Sequence, residues 1–284
     1  MLKLEIIDEE SYEKQSPDCW TQNFDDNGQE INGIALDLDQ TIGDLGRFSV
    51  VWKIWKEFCS SEPSCEICIE HYFKYGGFRP GLQTLVKTLK ELKDSRKLHT
   101  VCIFTSASNL NGYVDFMATL ICKFCQVPDD TFDQVFAREN SYSFSEDGRT
   151  LKDMRLVTRK FDSENTKSIF ILDDFPQNIE PGPENCIYVP PYYKDISGIN
   201  FIRNAEWWDT ETETEINELK PEKFGINVIP SGLLNSTNLN VQKTAIAIYS
   251  IIHDYIKFPV ARSTDLSDEE LYIFEKISSF LKSK

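Results

Sequence analysis

The sequence predicts an α/β fold, a Rossmann-like, mostly parallel sheet with helices on both faces. Three observations lead there. Short, continuously apolar runs alternate with stretches of helical period, the pattern of strand–helix–strand units around a parallel sheet. Three of those runs end abruptly in polar side chains, at Asp37, Thr105 and Asp173. Ligands of open parallel sheets collect beyond the carboxyl ends of the strands, so these three positions are expected on one functional edge.

The stretch from Ile31 to Gly43 sets the first strand. Its apolar run ends in Asp37 and Asp39, and Thr41 and Gly43 then break the strand. Residues two apart share a face of a strand. If the strand ends at Asp37, the turn lets Asp39 fold back over the Asp37 carboxylate. One ionised and one protonated carboxyl held together suit a nucleophile and a proton donor. A strand that simply runs into an acidic turn is the plainer reading of the same residues.

A chain of 284 residues holds one large domain, or one domain with a sizeable insertion. Its 40% hydrophobic and 27% charged residues are ordinary for a soluble globular protein. A net charge of −16 speaks against broad nucleic-acid binding, which needs clustered Lys and Arg, and against anionic membrane surfaces. The first ten residues lack the apolar core of a signal peptide, and no apolar run reaches membrane-spanning length. A soluble, intracellular protein of the cytoplasm or nucleus is therefore expected, with reduced cysteines.

Residues 1–30 read as an acidic lead-in, in which Leu2, Leu4 and Ile6 alternate as an edge strand would. The core is expected over 31–191, with a small aromatic-rich insertion over 44–78 after the first strand. There Val51, Trp52, Trp55 and Phe58 fall at helical spacing. The insertion either packs this face on the core, the favoured reading, or forms a wall beside the site. Pro80 suits a helix start, and Leu82, Leu85, Val86, Leu89 and Leu92 follow at helical spacing. Thr100–Thr105 reads as a buried strand. The hydroxyls of Thr105, Ser106 and Ser108 then stand where an anion would meet backbone N–H groups, or where a helix is capped.

Tyr113–Cys125 reads as a helix and Phe132–Ala137 as a short strand. Tyr142–Phe144 and Thr150–Leu151 read as a hairpin around Asp147-Gly148, with Lys152 just after it. Ser168–Leu172 leads into Asp173 and Asp174, whose repulsion asks for a cation or a proton. Mg²⁺ is the natural choice for all-oxygen ligands. Asn185–Val189 is the last sheet strand. A C-terminal extension over 192–284 carries an apolar helix, Val241–Phe258, and a last helix at about 267–282 packing on the core, capped by Thr264 or Ser267.

Asp37-Leu38-Asp39-Gln40-Thr41, the hydroxyl after Phe104, Lys152 and Asp173-Asp174 together resemble the four motifs of the haloacid-dehalogenase-like (HAD-like) phosphohydrolases. Arg79-Pro80-Gly81, Thr105-Ser106-Ala107-Ser108 followed by Tyr113, Lys152-Asp153-Met154 and Asp173-Asp174-Phe175-Pro176 narrow the likeness. They resemble the branch acting on the C-terminal domain of RNA polymerase II, also called NLI-interacting-factor-like. The segment from Leu266 to Leu281 resembles that branch's closing helix. Gln40 stands where the branch usually has Glu. Thr-Ser-Ala-Ser replaces the usual Thr-Ala-Ser, so Thr105, which we prefer, or Ser106 supplies the phosphate-binding hydroxyl. Lys160 and Lys167 compete with Lys152.

The resemblance implies a Mg²⁺-dependent phosphatase of phosphomonoesters. Asp37 would be the nucleophile, passing through an aspartyl-phosphate, and Asp39 the acid and base. Thr105, Ser106 and Lys152 would hold the phosphate. Asp37, Asp39 through its backbone carbonyl, Asp173 and Asp174 would hold Mg²⁺. Arg79 either orients substrate or serves the helix start, and Trp52 and Trp55 are candidate substrate contacts. A lightly covered site points to phosphoserine or phosphothreonine in a protein or peptide. The alternatives are a phosphatase of small-molecule or nucleotide phosphates, and a non-catalytic binding module on the same fold. Separately, Cys59, Cys65, Cys68 and His71 form C-x5-C-x2-C-x2-H, a donor set for structural Zn²⁺, although packing as reduced thiols is favoured. Cys122 and Cys125 fit the buried face of a helix.

Overall fold

The computed structural model describes residues 31–45, 48, 76–140, 143–144, 150–161, 169–180, 186–192, 214, 237–240, 242 and 266–283. The lead-in, Trp52, Trp55, the Cys59–His71 cluster, the Asp147-Gly148 turn, Lys167 and, except for Gln242, the apolar helix at 241–258 lie outside these residues.

The central sheet has the order β3-β2-β1-β6-β8, formed by β1 (Gly33–Leu36), β2 (Thr100–Phe104), β3 (Gln134–Phe136), β6 (Ile169–Asp173) and β8 (Cys186–Tyr188). All four pairings are parallel. β1 is central and reads GIAL, buried at every position, which is why it appears as an apolar run rather than an alternation. A second sheet, β4-β5-β7, joins β4 (Ser143–Phe144), β5 (Thr150–Asp153) and β7 (Ile179–Glu180). The β4–β5 pair is antiparallel, as the hairpin reading expects. Lys152 lies inside β5 rather than after it, because β5 runs on to pair with β7 and sets Lys152 opposite Ile179.

Alternation along each strand divides the core between two faces. Ile34, Leu36, Val101, Ile103, Phe170, Leu172 and Ile187 point to the face covered by α1 (Leu82–Asp94), α2 (Tyr113–Cys125) and α5 (Ile273–Ser283). Ala35, Cys102, Phe104, Ile169, Ile171 and Cys186 point to the other, covered by Met154 and Val157 of α3 (Met154–Lys160). The helix and strand expected at 113–125 and 132–137 are thus present.

The closing helix comes in two pieces, α4 (Asp268–Leu271) and α5, parted at Tyr272. Ser267, one of the two expected caps, makes a reciprocal capping box with Glu270. Ile273, Phe274, Ile277 and Leu281 of α5 are buried in the main core. Phe48 and Phe78 of the insertion also pack there, Phe78 with its ring 4.7 Å from that of Phe124, so both are core rather than wall residues. Among the described residues, no helix is long and apolar enough to cross a membrane.

Candidate active site

Register brings the polar strand ends together. Leu36 stands beside Leu172 and Ile103, so Asp37 comes level with Asp173 of β6 at the carboxyl edge. The ladder continues past β1, with Asp37 N–H donating to the Leu172 carbonyl at 2.9 Å. Thr105 follows β2 and donates its N–H to the Phe136 carbonyl at 2.9 Å.

Asp37, Asp173 and Asp174 each offer an oxygen within 4.8 Å of the others. Lys152 reaches this group from β5, its Nζ donating to Asp37 Oδ1 at 2.5 Å and to Asp173 Oδ2 at 2.5 Å. Thr41 joins from the turn. Its hydroxyl lies 3.1 Å from Asp37 Oδ2 and 3.1 Å from Asp174 Oδ1, and accepts the Asp174 N–H at 3.0 Å. Asp173 Oδ1 in turn accepts the Phe175 N–H at 2.8 Å. Three separate stretches of chain, 37–41, Lys152 and 173–175, therefore fix the positions of the three acids.

Burial raises the Asp37 carboxyl well above its usual range; Lys152 opposes the rise, and Asp173 and Asp174 add to it. Burial, reinforced by Asp173, pushes Asp174 up to about 7. Burial likewise pushes Asp39 up to about 6, with Lys152 opposing and Asp44 reinforcing. Burial alone would lower Lys152, but Asp173 and Asp37 outweigh it and hold the ammonium firmly protonated. Burial is the largest cause, and repulsion among acids that share one cation adds to it at Asp37 and Asp174. Oδ1 of Asp39 is also enclosed without a hydrogen-bond partner among the described residues. Oxygen donors, excess negative charge and close spacing fit a hard divalent cation.

The neighbouring loop supplies hydroxyls. Thr105 is buried and its Oγ1 accepts the Ala107 N–H at 3.1 Å, whereas Ser106 is half-buried, with its carbonyl held by Arg138 Nε at 2.7 Å. Lys160 is exposed at the end of α3, away from the role that Lys152 fills beside the acids.

Arg79, expected either to orient substrate or to serve the helix start, is held by the fold. It is among the most buried side chains, and its guanidinium donates to the carbonyls of Thr41, Gln40, Pro190 and Glu270. These four bonds to backbone give Arg79 a structural role at the approach to α1. Thr41 is the residue that sequence reasoning passes over. It reads as a strand breaker, although its place two residues after Asp39 is a signal for a hydroxyl beside the acids.

A parallel sheet with acids, a buried Lys and hydroxyls at its carboxyl edge defines the site as that of a HAD-like α/β protein. The family model for NLI interacting factor-like phosphatases matches residues 34–209, and the chain belongs to that family. The match runs past residue 191, where the core assigned from the sequence ends. No curated protein matches the chain. The family is one of phosphatases, hydrolases of phosphate esters, and the Asp37, Asp173, Asp174 group is suited to a divalent metal.

Proposed function

We propose that this chain is a Mg²⁺-dependent phosphatase that uses Asp37 as nucleophile, with phosphoserine or phosphothreonine in a protein or peptide as substrate. The observation that carries the reading is the convergence of Asp37, Lys152, Asp173 and Asp174 from three strands and the turn after β6. Asp37, the Asp39 carbonyl, Asp173 and Asp174 would hold Mg²⁺. When bound, the ion offsets the charge between a dianionic phosphate and the carboxylate that approaches it.

An oxygen of Asp37 forms a bond to phosphorus while the ester P–O bond breaks. Asp39 gives its proton to the departing alcohol oxygen, then takes one from the water that hydrolyses the aspartyl-phosphate and releases inorganic phosphate. A carboxyl raised to about 6 by burial suits both roles near neutral pH. Lys152 neutralises Asp37 in the resting site, and we assign it, with Thr105 and Ser106, to binding the non-bridging phosphate oxygens. We retain the division into lead-in, core with insertion, and C-terminal extension, with Trp52 and Trp55 as candidate substrate contacts.

The test is hydrolysis of a generic aryl phosphate by the wild type with Mg²⁺, with EDTA, and by Asp37→Asn. Metal-dependent turnover lost in the variant supports the reading. A folded wild type that neither turns over nor traps beryllofluoride with Mg²⁺ overturns it. Phosphopeptides assayed against small esters then separate a protein substrate from a small one.

A further inference from the structure

We infer that Arg79 is a positioning residue, which holds the Gln40–Ile42 turn in register for the acids and makes that register depend on the C-terminal helix. Its catalytic consequence rests on the phosphatase reading above.

Three consecutive carbonyls of the turn accept from this one residue. Arg79 Nη2 donates to Gln40 at 3.1 Å, Nε to Thr41 at 2.8 Å and the backbone N–H to Ile42 at 2.9 Å. Gln40 is left-handed, with φ of 63°, a conformation that a non-glycine residue keeps only when its surroundings enforce it. Its carbonyl takes a second bond, from the Tyr192 N–H at 2.7 Å. Thr41, the middle residue, carries the hydroxyl that contacts Asp37 and Asp174. A shift of the Thr41 backbone therefore moves the donor shared by a nucleophile and a metal ligand.

The far side of the guanidinium is held from elsewhere in the chain. Nη1 donates to the Glu270 carbonyl at 3.2 Å, inside the capping box of α4, and Nη2 also donates to the Pro190 carbonyl. The rings of Tyr192 and Phe274 stand 5.2 and 5.6 Å from the guanidinium carbon. Phe274 is fully buried on α5. The planar fork links the turn at residue 40 to the helix at residue 270; an ammonium with one nitrogen cannot span these acceptors. Burial lowers the group only to about 10, so it stays charged at neutral pH.

The experiment uses the full chain and two variants, Phe274→Leu and Arg79→Lys. Hydrogen exchange is read by mass spectrometry in the metal-free proteins, over residues 38–44 and over Tyr113–Cys125. Phe274→Leu keeps an apolar side chain and so a folded core, and carries the test should Arg79→Lys fail to fold. The expected result is a rise of about tenfold in exchange at 38–44 with little change at 113–125. Aryl phosphate hydrolysis with Mg²⁺ should lose about tenfold in kcat with KM nearly unchanged. Unchanged protection at 38–44, or an equal rise in both segments, overturns the inference. A wild type that folds but hydrolyses nothing defeats the phosphatase reading alone, because exchange still decides the positioning role.

Discussion

The Nζ of Lys152 stands 2.5 Å from Oδ1 of Asp37, with both side chains almost wholly withdrawn from water. Breaking such a buried pair strands a charge that neither solvent nor a neighbour can neutralise. Lys152→Met should destabilise the metal-free protein by about 3 kcal/mol at pH 8. At pH 5 the loss should shrink, because Asp37 and Asp174 are raised carboxyls that can take up protons instead. Urea unfolding in EDTA at the two pH values measures both. An equal loss at each would assign Lys152 to packing of its stem rather than to charge.

The same crowding gives the pH dependence an unusual sign. Asp39 is raised to about 6 and Asp174 to about 7, both by burial first. Unfolded carboxyls lose their protons near pH 4, so between about 4 and 7 the folded state holds protons that the unfolded state has released. These two groups therefore make metal-free stability fall as pH rises through that window and level off above it. Asp39 alone accounts for a loss of about 3 kcal/mol. In the proposed site Mg²⁺ would compete with the proton on Asp174, so its thermal stabilisation should be larger at pH 8 than at pH 5. Scanning calorimetry with EDTA and with Mg²⁺ tests both trends, and a stability that climbs from pH 5 to 8 in EDTA would defeat the assignment.

Thr41→Val keeps the shape of the side chain and removes its oxygen. The Asp174 N–H then loses its acceptor, and Asp37 Oδ2 and Asp174 Oδ1 lose their shared donor. A buried polar group left unpaired costs about 1–3 kcal/mol, which urea unfolding should show. Binding of Mg²⁺, read by calorimetry, should weaken as well. A variant as stable as wild type and with unchanged Mg²⁺ affinity would show that the hydroxyl neither orients nor neutralises the acids.

The contrast between Asp173 and Lys152 explains what the sequence reveals. A strand buried on both faces is a continuous apolar run, so Ile169–Leu172 and the abrupt acid after it stand out. Lys152 sits on a four-residue strand whose parallel partner, Ile179–Glu180, has two residues and no readable period. It is identifiable only through the order of motifs. Arg79 is visible in the Arg79-Pro80-Gly81 motif, but its bonding is not, because its acceptors at Pro190 and Glu270 lie 111 and 191 residues away. No local pattern announces partners that are backbone carbonyls. Thr41 is similar: it is visible in its motif, but its double contact depends on Asp174 arriving from β6.

Gly43 ties the site to the segment that enters α1. It bridges Phe78, Gln40 N–H donates to its carbonyl at 2.7 Å, and Asp44 N–H donates to the Gly77 carbonyl at 2.9 Å. A Cβ at Gly43 would lie 2.5 Å from the Gly77 oxygen and 3.2 Å from the Phe78 Cα, both backbone atoms that cannot rotate aside. Gly43→Ala must push the two strands of chain apart, which should cost about 1–3 kcal/mol. Because Arg79 follows Phe78 directly and bonds Ile42, the displacement also reaches the turn that carries Thr41. Gly112→Ala is the matched control. Gly112 has φ of 74°, yet nothing lies within 4 Å of the added Cβ, so only backbone strain of about 1 kcal/mol is incurred. Urea unfolding and aryl phosphate hydrolysis should therefore separate the pair: Gly43→Ala loses both stability and kcat, whereas Gly112→Ala loses a little stability and keeps its rate. Equal rates in the two variants would mean that the Gly43–Phe78 contact supports the fold without setting the geometry of the acids.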